Sequence, residues 1–276
     1  MSVRRILVGL GLEACSETAT RYALEIANLA GGSLTGVTLI DTPTLSHVGP
    51  APIGAGALAH DLSVERTASV HRLTARLASH FRKACTAAGT PYVVRCEEGD
   101  PLNSLIAVAR YHDIAIVGRD GLCEHGLMDE PSDGLVRLVG AGVRPMIVAP
   151  PDYRPIRRVM IAYSGSMESA KTMRRFIEMR LWPDAATHIV HFGSHREEGD
   201  QLLADAAEYC QAHGVQPVTE LRDSSARKAV LGVADEIGAD LIVMGNSARR
   251  LLVRRLFGET MLETVRHAEL PLFLCQ

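Results

Sequence analysis

Histidine is the first residue type to test for chemistry, because His188, His191 and His195 lie close enough in sequence to suggest a shared metal ion. A zinc site needs three or four such donors converging on one point. On the extended run around Ile189, His188 and His191 are an odd number of positions apart and therefore point to opposite faces. Cys123 and His125 would bring only two ligands from one segment, too few for a site. His71 and His80 lie in a long amphipathic stretch and read as surface residues. Serine, histidine and aspartate are all present, yet no G-x-S-x-G elbow exists to present a nucleophile. No catalytic set and no metal set emerges, so the expected protein binds without turnover.

The elements that would hold any site come twice. RRILVGL at Arg4–Leu10 returns as RRVMIAY at Arg157–Tyr163, and DIAIVG at Asp113–Gly118 returns as DLIVMG at Asp240–Gly245. RPMIVAP at Arg144–Pro150 returns as LPLFLCQ at the C-terminus. The echoes keep their order, which predicts a duplicated domain, 1–150 and 156–276, joined by a proline-rich linker at Pro150–Pro155. In the first unit, apolar runs predict strands at Val3–Gly9, Leu34–Ile40, Tyr92–Cys96, Ile114–Gly118 and Pro145–Ala149. Helices are predicted at Thr18–Ala30 with Ser16 as N-cap, and at Leu62–Ala88, Pro101–Arg110 and Ser132–Val139. Asp41–Ala57, rich in Pro, Gly and small residues, reads as a mobile excursion. The second unit repeats the order, with strands near Val159, Ile189, Val218, Ile242 and Phe273 and helices near Thr172, Ala206, Val230 and Leu262.

This alternation predicts an α/β fold of two tandem doubly wound, Rossmann-like domains, each with a five-stranded parallel sheet. The two sheets are expected to be superposable and separate. Ligands of such sheets sit beyond the strand C-termini, where the strand order reverses. The places to search are Gly9–Leu12, Gly118–Ser132, Tyr163–Ser166 and Gly245–Thr260.

Bulk composition excludes several classes. A hydrophobic content of 47% with 22% charge describes a folded globular chain, and 276 residues suffice for two cores. A net charge of -3 and a single Trp argue against nucleic-acid binding. No apolar run is long enough to span a bilayer, so no membrane partner is expected. The basic, then apolar start superficially resembles a signal peptide, but the same run recurs internally at Arg157. The six cysteines form no CxxC pair, which fits a reducing compartment and a cytoplasmic expectation.

At the strand ends the sequence resembles the universal stress protein family in its tandem, two-domain form, over nearly the whole chain. The fold this implies is of the adenine nucleotide alpha hydrolase-like type. The family's nucleotide loop, G-x2-G-x9-G-(S/T), follows the fourth strand. In the second unit its register falls on Gly245, Ala248, Gly258 and Glu259, with Thr260 one place beyond the expected hydroxyl. In the first it falls on Gly118, Gly121, Pro131 and Ser132. Glycines let such a loop approach phosphate oxygens, and the helix start that follows favours an anion. Ala248 adds a Cβ, Glu259 a carboxylate, and Pro131 removes an N–H. Arg249, Arg250, Arg254 and Arg255 surround the second loop, whereas Glu124, Asp129 and Glu130 surround the first. Charge therefore favours a phosphate ligand in the second unit.

The family's nucleotide-binding members carry a D-G-S stretch after the first strand. The matching residues are Ser164-Gly165-Ser166 in the second unit and Gly11-Leu12-Glu13 in the first, neither with the Asp. The resemblance thus implies an ATP or ADP site in the second unit. Its phosphates would lie near Ala248, Arg249, Gly258, Glu259 and Thr260, and its adenine toward Ala162, Tyr163, Ser164, Gly165 and Val190. Gly245 opens the loop. A degenerate counterpart in the first unit would comprise Gly9, Gly11, Gly118, Gly121, Pro131 and Ser132.

YSGSMES at Tyr163–Ser169 also resembles the SGGxDS loop of ATP pyrophosphatases, with Ser166 and Glu168 in place of Gly and Asp. The resemblances imply a stress-response regulatory role with adenine nucleotide as ligand. The alternatives are a nucleotide-free scaffold for an unknown protein partner and an adenylating enzyme. Family members associate through their final strands, and Met146–Ala149 and Leu272–Cys275 are apolar enough to pair within one chain as an internal pseudo-dimer, with a homodimer as a further option.

Overall fold

Strands covered on both faces are apolar throughout, and the chain builds its centre from such strands. The computed structural model describes residues 3–11, 13–46, 56–119, 138, 143, 145–245 and 259–275. In the first half, β1 (Arg5–Gly9), β2 (Ser33–Asp41), β3 (Tyr92–Gly99), β4 (Ile114–Gly118) and β5 (Met146–Ala149) alternate with helices. These helices are α1 (Glu13–Ala30), α2 (Thr42–Ser46), α3 (Gly56–Ala87) and α4 (Pro101–Ala109). The second half supplies β6 (Arg158–Tyr163), β7 (Ala186–Phe192), β8 (Val218–Arg222), β9 (Leu241–Gly245) and β10 (Leu272–Cys275). Between them lie α5 (Met167–Met179), α6 (Arg196–Ala212), α7 (Ala226–Glu236) and α8 (Glu259–His267). Every residue of β4, β5 and β10 is buried.

The strands join in the order β3-β2-β1-β4-β5-β10-β9-β6-β7-β8. Each half is a parallel five-stranded set whose order reverses beside its first strand, as the doubly wound reading requires. The expectation of two separate sheets is corrected. β5 and β10 pair antiparallel, Phe273 opposite Ile147 and Leu272 opposite Val148, so one sheet of ten strands runs through the molecule. These short apolar strands would otherwise leave backbone donors and acceptors unpaired along two open edges, and pairing them together removes both. Because this ladder is antiparallel, the strand C-termini of the two halves face opposite ends of the sheet. Two strand-end sites would therefore be remote and independent.

The sequence echoes have a mechanical basis. The Asp113 carboxylate accepts from the backbone N–H groups of Arg4 and Arg5 at 2.7 and 2.9 Å. Asp240 does the same for Arg157 and Arg158, both at 2.9 Å. Each aspartate so clasps the start of its first strand to the start of its fourth. The core forms a layer on either face. Ile6 and Val8 pack with Tyr22, Phe81, Phe176 and Phe273 on one side. Leu7, on the opposite face, packs with Leu105, Val148, Met160 and Val190.

Helix boundaries bring a second correction. α1 begins at Glu13, so Ser16 lies inside the helix and does not cap it. Residues Thr42–Ser46 of the predicted excursion are helical, while 47–55 lie outside the described residues. The predicted helix at Ser132–Val139 also lies outside them except for Leu138, which is helical and buried.

An aromatic cluster ties the halves together. Tyr22 of α1 stacks with Tyr153 of the linker at 5.2 Å and meets Trp182 edge-on at 6.1 Å. Tyr153 donates its hydroxyl to Glu25, and Tyr22 donates to the Arg154 carbonyl at 2.9 Å. Burial pushes the Tyr22 phenol up to about 12 from 10.0. For Tyr153 burial and the neighbouring Glu25 do the same, again to about 12. A raised folded-state value means that this stability is complete below pH 10 and is lost as the pH rises from 10 toward 12. Urea midpoints should accordingly fall across that window, with Trp182 fluorescence as the reporter. The fall should be shallower in Tyr22→Phe, and an equal slope in that variant would remove Tyr22 from the account.

Candidate functional site

The strand order places the candidate site of the second half where β6 and β9 lie side by side. Met244 registers with Ala162, so Gly245 comes level with Tyr163 at the strand ends. Ala162 and Gly245 are half-buried there, and Ser164 is exposed just beyond.

The turn after β6 is built by its own hydroxyls. Gly165 has φ +73°, and a Cβ on it would meet Leu202 of α6 at 2.6 Å. Ser166 caps α5, its side chain accepting from the Ser169 N–H at 3.2 Å. Ser164 donates its hydroxyl to Ser166 Oγ at 3.0 Å, and its own N–H donates to Ser169 Oγ at 3.3 Å. The YSGSMES segment is thus a capped helix start, with Ser166 engaged in the cap where the pyrophosphatase loop has glycine. Gly165→Ala should destabilise by about 1–3 kcal/mol, through positive φ and the contact with Leu202. Chemical denaturation measures it; a loss below about 0.5 kcal/mol would mean that the turn relaxes freely.

The glycines that open the two loop registers have a packing role. A Cβ on Gly245 would sit 2.8 Å from the Glu168 carbonyl and from Thr172 Oγ1, and 3.0 Å from Ser169 Cα. A Cβ on Gly118 would sit 2.5 Å from Cys15 Cβ. In each half the end of the fourth strand is pressed against the first turns of that half's own opening helix, α1 or α5, and only glycine fits. Thr172 fastens the same helix to β10, donating to the Cys275 carbonyl at 2.9 Å.

Two other candidate residues turn their side chains into the core. Tyr163 is 7% exposed and packs in the core with Leu203 and Cys210, and burial raises its phenol. Val190 is fully buried, on the face that packs with Met160, Val230 and Met244, so its side chain is a core group. Glu259 opens α8, and Thr260 in its first turn is half-buried, its carbonyl accepting from Thr264 Oγ1 at 2.8 Å. Ala248, Arg249 and Gly258 lie outside the described residues, as do Arg250, Arg254 and Arg255. In the first half Gly9, Gly11 and Gly118 are buried at the ends of β1 and β4, while Gly121, Pro131 and Ser132 lie outside the described residues.

His188, His191 and His195 stand in three different settings. His191 is buried and its Nδ1 lies 2.9 Å from the Tyr163 carbonyl, which can only accept, so Nδ1 carries the proton. Its Nε2 faces Gly193, where a Cβ would approach to 2.9 Å. His188 is half-buried on the other face, and burial lowers its imidazole. His195 precedes α6 as its N-cap residue without a side-chain cap. Among the described residues no group of three or more His, Cys, Asp or Glu could hold a metal ion. Among them also, no helix is long and apolar enough to cross a membrane.

The sequence profile of the universal stress protein family matches residues 2–121 and 192–276. A curated universal stress protein of Synechocystis sp. is 22% identical over 161 residues, which are 58% of this chain and 56% of that protein. The chain therefore spans little more than half the length of this relative. Among solved structures, a universal stress protein from Archaeoglobus fulgidus superposes with a TM-score of 0.70 at 17% identity, covering 100% of this chain and 97% of that one. A functionally unknown protein from Pseudomonas aeruginosa gives 0.60 at 17% identity, covering 99% and 92%. At these identities the structural likeness speaks for the fold.

Proposed function

We propose that this chain, which belongs to the universal stress protein family, serves a regulatory role in the stress response by binding an adenine nucleotide in its second half, without catalytic turnover. One observation carries the reading. The sheet reverses between β6 and β9, so the turn that carries the exposed Ser164 stands beside Gly245, from which the arginine-rich loop register runs to Gly258. An adenine would lie over the Ala162–Gly165 turn, and the phosphates would meet the N–H groups that open α8 together with the loop arginines. Ser164 can hydrogen-bond a ribose or phosphate but carries no charge, which limits affinity.

We assign no turnover to this function, since among the described residues no activated nucleophile and no paired acid and base stand at these strand ends. The acidic register of the first half carries Glu124, Asp129 and Glu130 and is assigned no nucleotide.

Mass spectrometry of small molecules released from purified, denatured protein tests the reading, together with direct titration by ATP. The expected result is ATP or ADP travelling with the chain. Absence of any nucleotide, with no saturable ATP binding up to about 1 mM, would leave the nucleotide-free scaffold as the better account.

A further inference from the structure

We infer that the groove between α1 and α3 is a second ligand site, for a small uncharged molecule with an apolar body and one hydroxyl or carbonyl group that pairs with Ser16. The groove encloses about 340 Å³, within the roughly 300–1,000 Å³ of small-molecule pockets. Leu10, Leu77 and Phe81 form its floor, each less than 5% exposed, with Thr20 beside them. Ser16 also lines it, at 5% exposure, and its hydroxyl has no hydrogen-bond partner among the described residues. A buried hydroxyl left unpaired is unfavourable and uncommon in a folded chain. Its neighbour Thr20 does not relieve it, because the Thr20 hydroxyl donates to the Ser16 backbone carbonyl at 2.7 Å.

The groove exists because Phe81 is drawn away from α1. Its ring lies so close to Gly36 of β2 that a Cβ there would approach to 2.7 Å, and it meets Tyr92 of β3 edge-on at 6.1 Å. Held toward the sheet and toward β3, the ring leaves the space between the two helices unfilled. The rim then selects the ligand's charge. Glu17 is exposed at the mouth and repels an anion. Arg21 also lines the groove, its guanidinium over the Tyr153 ring at 3.4 Å and still charged, so the rim carries both signs and favours a neutral ligand. A neutral phenol-like or short carbonyl compound matches the apolar floor and the single unpaired hydroxyl. The groove shares Leu10 with the end of β1, but the loop glycines Gly9, Gly11 and Gly118 do not line it.

The test titrates the full isotope-labelled chain with 4-methylphenol and, in parallel, with toluene, reading backbone amide shifts. Saturable shifts centred on Ser16, Thr20 and Phe81 are expected from both probes. Ser16→Ala should weaken 4-methylphenol about five- to tenfold while leaving toluene within about twofold. Its apo melting temperature should rise, because an unpaired hydroxyl is removed. Ala84→Phe, which fills the groove, should abolish both responses with unchanged circular dichroism. The proposal is overturned if wild type shows no saturable shifts in the groove, or if 4-methylphenol binds Ser16→Ala as well as wild type. Wild-type affinity in a folded Ala84→Phe would overturn it as well. Should Ala84→Phe fail to fold, the Ser16→Ala comparison decides alone.

Discussion

Phe273→Ala should lower the unfolding free energy by about 3–5 kcal/mol, the largest stability loss expected of any single truncation in this chain. Phe273 is fully buried in the middle of β10, four residues long, between Ile147 of β5 and Val243 of β9. Its ring meets Phe176 of α5 at 5.1 Å and near-perpendicular. Truncation therefore opens a cavity at the seam where the halves join, between strands paired on both sides. For a chain of this size such a loss corresponds to a drop of roughly 10 °C in melting temperature. Val93→Ala is the control, since Val93 is 60% exposed on the edge strand β3 and should change stability by less than about 0.5 kcal/mol. Similar small losses in both variants would mean that β10 does not hold the seam.

Both halves were legible in the sequence because their central strands are buried on two faces and read as apolar runs. Ile114–Gly118 was located without error, and the paired echoes at Asp113 and Asp240 mark a clasp that the duplicated unit needs twice. The continuous sheet was harder to foresee. An apolar edge strand shows that it wants a partner, but the direction of the pairing depends on where the linker delivers the second half. Ser16 misled for a different reason. A serine before an apolar run is the common mark of a helix start, and here the helix begins earlier, leaving that hydroxyl buried within α1.

Val190 was readable in principle. His188, Val190 and Phe192 share one face of β7 by strand alternation, and that face lies against the core with α7. Gly118 and Gly245 were ambiguous in kind, because phosphate approach and close helix packing both demand a residue without Cβ. Only the contacts with Cys15 and with Glu168–Thr172 separate the two demands, and they show that packing alone suffices to require glycine there.

Gly258→Asp should weaken ATP binding by about two to three orders of magnitude if the phosphates sit at the start of α8. The residue stands immediately before Glu259, the first residue of that helix. A second carboxylate at this point would face the phosphates directly. Repulsion between two unit charges about 4 Å apart near a protein surface is roughly 4 kcal/mol, and the added side chain also narrows the approach. The loop arginines Arg249, Arg250, Arg254 and Arg255 would neutralise part of this, so the loss should deepen as salt is lowered. Gly121→Asp adds a carboxylate to the corresponding loop register of the first half, at the position that matches Ala248, and the strand ends of that half face the opposite end of the sheet. It should leave ATP affinity unaltered. Isothermal titration of both variants separates the outcomes. Undiminished affinity in Gly258→Asp refutes the placement, and a loss confined to Gly121→Asp would move the nucleotide to the first half, against the charge of its loop.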